Sequence, residues 1–155
     1  VDHRTFIDIG ADIDERRHHD DVFADIAAQT GDGGRYDTES ASGEVFLRAL
    51  CAEEIERVCA RVYPTFEAMG VAYPEIKLRR MTSRWGSCRP RAGVLTFNTG
   101  LIHADEACIE YVVTHEFCHF IHPDHSPAFH ALMTRLMPDW RERKKRLNDT
   151  PFPGI

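Results

Sequence analysis

The chain has 155 residues, 43% hydrophobic and 28% charged, which is enough for one domain with a core of its own. No apolar run approaches the roughly 20 residues that a membrane-spanning helix needs, so a membrane protein is not expected. The net charge of −6 divides unevenly, with 17 acidic and 7 basic side chains in residues 1–75 but 8 and 12 in residues 76–155. A basic half of this size is more often a solvated helix face than a binding site for an anionic partner.

Residues 1–43 carry an acidic, histidine-bearing stretch and then two glycine- and serine-rich stretches around residues 31–34 and 40–43. They read as an appendage and linker, with a short amphipathic helix over 21–29, ahead of a single domain over 44–150. No tripartite leader opens the chain, and the start at Val1 instead of Met suggests that an upstream piece is missing or removed. Cys51, Cys59, Cys88, Cys108 and Cys118 are odd in number and form no CxxC pair, which argues against a disulfide framework and for a reducing cytoplasm.

From Glu44 to Met69, the apolar residues Val45, Phe46, Leu50, Ile55, Val58, Val62 and Phe66 recur mostly every three or four positions. That spacing predicts a helix with one buried stripe, and Gly70 is its stop. Alternation around Ile76 and Leu78 predicts a strand, Gly86 to Gly93 a turn, and Val94 to Asn98 a second strand that forms a hairpin with the first. Asp105 caps a helix that buries Cys108, Ile109, Val112, Val113, Phe117 and Phe120 and is ended by Pro123. Ser126 and Pro127 open another helix through about Met137, and a basic helix over 139–147 closes the domain.

His115-Glu116-Phe117-Cys118-His119 is an H-E-x-x-H pattern inside a predicted helix. Its two histidines share one helix face about 6 Å apart along the axis, a spacing that lets them grip one ion. Glu116 lies about 100° around the helix, within reach of a water on that ion but outside the coordination sphere. A catalytic zinc needs a third protein ligand. His122 shares the face but lies about 10 Å along the axis from His115, whereas the break at Pro123 lets the chain bring His125 back. The ten-residue offset of His125 from His115 equals the third-histidine spacing of the metzincin pattern, although His122 stands where that pattern has glycine. Three histidines are the best ligand set, with Asp124 a substitute for the third. Glu116 is then the general base that takes a water proton and passes it to the leaving amine, and the reaction is amide hydrolysis. Elsewhere, His130 reads as a surface or satisfied histidine and Cys118 as a small core residue.

Arg84-Trp85-Gly86-Ser87-Cys88, Leu95-Thr96-Phe97-Asn98, Tyr111 to His119, His125-Ser126 and Met137-Pro138-Asp139 together resemble the YgjP-like metallopeptidases, relatives of the SprT and WLM groups. The resemblance implies an α+β, zincin-like fold. In it a small twisted sheet containing antiparallel strands packs on the helix of His115 and His119, with C-terminal helices beyond. It implies His125 as third zinc ligand, Glu116 as the catalytic residue and Trp85 as a packing anchor under the site. It also places Val94 to Asn98 along the cleft, where an extended protein or peptide substrate adds as a further strand. The expected protein is a monomeric zinc peptidase. Two other readings are a non-catalytic domain stabilised by zinc and, because the related groups include proteases acting on DNA-bound proteins, a protease whose basic residues contact nucleic acid.

Overall fold

The computed structural model describes residues 38–150. The helix expected over 21–29 and the first linker stretch lie outside them. Helix α1 (Thr38–Glu67) leads through a turn to strand β1 (Glu75–Arg79). Strands β2 (Gly86–Arg89) and β3 (Val94–Asn98) follow, then a 3-10 turn (Thr99–His103). Helices α2 (Glu106–Cys118), α3 (Pro127–Leu136) and α4 (Trp140–Asn148) complete the domain. This is an α+β arrangement of one mixed three-stranded sheet and four helices, consistent with a zincin-like metallopeptidase fold.

Helix α1 starts six residues before Glu44, so the second expected linker stretch is helical. Its buried stripe is also shorter than the periodicity predicts. Cys51, Ile55, Val58, Cys59, Val62 and Phe66 are buried, whereas Val45, Phe46 and Leu50 are exposed. After Glu67 the chain reverses at Gly70, whose φ of 92° suits glycine, while the amide of Val71 donates to the Phe66 carbonyl.

The expected hairpin of β1 with β3 is not formed. Those strands run parallel, and the segment read as a turn supplies β2, which pairs antiparallel with the other side of β3. The sheet order is therefore β1-β3-β2, and every residue of the central strand β3 is buried. A parallel pair needs a crossover, and residues 80–85 provide it by passing across the end of β3. Asn98 holds that crossover in place. Its side-chain amide donates to the carbonyls of Met81 and Arg84, both at 2.9 Å, and its Oδ1 accepts from the Gly100 amide at 2.9 Å. Its backbone amide donates to Trp85 O at 2.9 Å.

In this register Ile76, Leu95 and Cys88 share one row, and Leu78, Phe97 and Gly86 the next, all on the face that meets the helices. Helix α2 is the hub of the molecule, touching α1, β2, α3 and α4. Asp105 caps it as expected, accepting from the Cys108 amide at 2.9 Å, but regular helix ends at Cys118, five residues before Pro123. Ser126 caps α3, with Pro127 in its first turn. All five cysteines are free and buried; burial pushes the Cys59 and Cys118 thiols up to about 12 and Cys51 and Cys108 up to about 11. Among the described residues, no helix is long and apolar enough to cross a membrane.

Candidate metal centre

Three imidazoles converge at the end of α2. His115 lies in its last turn and His119 caps it, both almost completely buried, while half-buried His125 comes from the loop that leads into α3. Ligand atoms of the three lie within 4.8 Å of one another, the only such grouping of metal-binding side chains among the described residues. Nε2 of His125 is 3.3 Å from Nε2 of His115. Two nitrogens held tetrahedrally at zinc–nitrogen distances of about 2.0–2.1 Å stand about 3.3 Å apart, so the spacing fits. The spread of 4.8 Å is wider than that ideal, within what small rotations of three side chains close.

The surrounding groups fix which nitrogen two of the rings present. Nδ1 of His119 lies 3.1 Å from the carbonyl of His122; since a carbonyl only accepts, Nδ1 carries the proton and Nε2 keeps its lone pair. The hydroxyl of Tyr111 lies 3.5 Å from Nδ1 of His115 and marks the same orientation there. His122 thus enters the site through its backbone, while the imidazole that joins the cluster is that of His125. Burial pushes the His115 imidazole well below its ordinary pKa, and the neighbouring His119 and His125 add to the effect. The ring is held neutral, as a ligand must be.

Phe129, in the first turn of α3, forms the floor. Its ring centroid lies 4.9 Å from His115, 4.6 Å from His119 and 4.9 Å from His125, with the His119 ring stacked on it. A second aromatic layer backs this one. His130 stacks on Trp140 at 5.5 Å, and the Trp140 ring is also parallel to Tyr111 at 6.4 Å. The Trp140 indole donates to the Thr134 hydroxyl at 3.0 Å, which fixes its plane. His130 is therefore a half-buried member of a ring stack. Phe129 and Trp140 were readable in the sequence only as apolar helix positions; their approach to the histidines depends on how α3 and α4 fold back.

Glu116 is buried on the side of α2 that faces β2. A Cβ placed on Gly86 would come within 3.1 Å of Glu116 Oε2 and 3.0 Å of Val112 Cγ1. Glycine is thus what lets the strand lie against the carboxylate. Trp85, one residue earlier, is fully buried and packs in the core as expected. Arg84 is half-buried; desolvation lowers its pKa and the nearby Glu116 carboxylate acts in the opposite sense. Cys118 points its thiol 3.5 Å from Met133 Sδ, in the core and away from the ligands.

The convergent triad of His115, His119 and His125 fits a metal site. The family model described as YgjP-like, metallopeptidase domain, matches residues 10–150. The chain belongs to the YgjP-like metallopeptidase family. No curated protein matches it. Membership supports a metal-dependent hydrolase of peptide bonds, and the three histidines of this YgjP-like domain fit a metal site. One expectation for the substrate path is corrected. β3 is hydrogen-bonded on both sides, so an extended peptide cannot add to it.

Proposed function

We propose that this YgjP-like domain is a zinc peptidase in which His115, His119 and His125 hold the metal and Glu116 is the general base. The observation that carries the reading is the convergence of three imidazoles, two of them on one helix face, with no fourth protein ligand grouped with them among the described residues. A structural zinc site is usually closed by four protein ligands, whereas a catalytic one keeps a position open. Zinc held there supplies Lewis acidity, which activates water and polarises a carbonyl. Imidazole donors are ligands that zinc accepts readily.

The chain's own contribution is proton handling and positioning. Glu116 accepts the proton of the attacking water and delivers it to the leaving amine; its burial against Gly86 aims the carboxylate and limits competing solvent. The protonated Nδ1 of His119 and the Tyr111 hydroxyl keep two of the rings turned toward the metal. The unbridged, buried thiols support a reducing compartment such as the cytoplasm.

The deciding experiment measures metal content and hydrolysis of an unstructured protein substrate for the wild type and Glu116→Gln. The expected result is about one zinc per chain in both, with hydrolysis by the wild type reduced at least ~10²-fold in the variant, as general-base loss commonly gives. One zinc in each with equal activity would remove Glu116 from the mechanism; no zinc in either would remove the metal site.

A further inference from the structure

The rings at the proposed metal centre are almost evenly spaced. The centroids of His115, His119 and His125 form a triangle with sides of 5.0, 5.2 and 4.6 Å. The Phe129 centroid stands 4.9, 4.6 and 4.9 Å from the same three rings, so the four rings occupy the corners of a near-regular tetrahedron. Three corners carry nitrogen donors and the fourth a hydrocarbon. Phe129 is held there locally: it is almost completely buried, and its amide donates to the hydroxyl of Ser126 at 3.4 Å. Ser126 caps α3 and directly follows His125, so one helix start places both a candidate ligand and the phenyl ring.

That ring decides on which side of the triad an ion can sit. On the Phe129 side, an ion about 2.0–2.1 Å from three imidazole nitrogens would stand within roughly 2–3 Å of the phenyl centre, inside the ~3.5 Å at which carbon atoms meet their neighbours. On the opposite side, the same bond lengths leave it about 5 Å from the ring, at no steric cost. The phenyl offers no lone pair, and ring contacts of 4.6–4.9 Å leave no room for water between it and the imidazoles.

We propose that Phe129 sets the coordination number of the metal: it bars one side of the histidine triad to ion and water alike and confines exchangeable positions to the other. A site limited in this way favours a four-coordinate ion such as zinc over nickel, which takes up more ligands, because geometry and not raw affinity separates such ions. The inference rests on the reading of the three histidines as metal ligands. Phe129 acts through them, as a positioning residue.

The test loads the full chain with cobalt(II) alone, whose visible bands weaken as its coordination number rises above four. Wild type is compared with Phe129→Ala and with the milder truncation Phe129→Val. The wild type should give the intense spectrum of a four-coordinate ion. Both truncations should give weaker bands as water enters the side that the ring has left. In competition titrations their preference for zinc over nickel should fall about tenfold, the lower end of what changes around metal ligands commonly produce. Phe129→Leu, which keeps apolar bulk at that corner, should hold the wild-type spectrum.

A phenylalanine with only a structural role would weaken the binding of both metals alike and leave the cobalt spectrum unchanged in the truncations; that result would overturn the proposal. A spectrum of higher coordination number in the wild type would overturn it as well, since the ring would then fail to limit the ligands. Uptake of neither cobalt nor zinc by the wild type would sink the peptidase reading itself, and this inference with it.

Discussion

Gly86 shows how tightly a single position is determined. It begins β2, and the space where a side chain would sit is filled by Val112 and Glu116. Gly86→Ala should cost about 1–3 kcal/mol through overpacking and displace the carboxylate of Glu116. Thermal unfolding reports the first effect. A fall in kcat at unchanged zinc content reports the second, and unaltered kcat would separate this contact from catalysis. At this scale the sequence was most readable where chemistry is local. His115, Glu116 and His119 sit within one helical turn and a half, so their spacing reveals their geometry, and Pro123 hinted that His125 returns. Phe129, Tyr111 and Arg84 carry no such signature, because their place at the site is set by packing between elements far apart in sequence.

Among the elements, α2 depends on its cap. Asp105 accepts the Cys108 amide, and that hydrogen bond, followed by Arg146, holds its carboxyl below the ordinary 3.8. A depressed folded-state pKa means that the unfolded chain binds the proton first. The contribution is therefore complete above the ordinary aspartate range and is lost as pH falls through the folded value. Asp105→Ala should cost about 1 kcal/mol at neutral pH. Asp105→Asn keeps a capping oxygen and should flatten the acid side of the stability curve, measured by urea unfolding between about pH 2 and 5. Helices with caps were legible for the same local reason: Asp105, Ser126 and Pro127 announce their starts. Strand β2 was hidden because Gly-Ser-Cys-Arg has the composition of a turn, and what makes it a strand is β3 alongside. The exposed start of α1 was misread because periodicity reports a helix face but not how far the rest of the core extends along it.

For the molecule as a whole, the proposed metal centre is also a joint. Its ligands come from α2 and the following loop, its floor from α3 and its backing from α4. An ion that binds only this assembled state should stabilise the entire domain by mass action. Chelation is expected to lower the unfolding temperature by roughly 5–10 °C, reversed by added zinc, for a stabilisation of about 3 kcal/mol in a chain of this size. His125→Ala should show the lowered temperature without chelator and no response to zinc; a chelator-insensitive wild type would mean that the histidines do not bind metal in the folded state.

Asn98 makes one side-chain amide decisive for the crossover. Its side-chain nitrogen is the donor that two main-chain oxygens of the crossover share. A carboxylate in place of that one amide, as in Asn98→Asp, would set negative oxygen against both carbonyls and turn attraction into repulsion. The segment released would be the one that carries Arg84 and delivers Gly86 to Glu116. The placing of that segment is therefore tied to an atom that is neither a proposed metal ligand nor the proposed base.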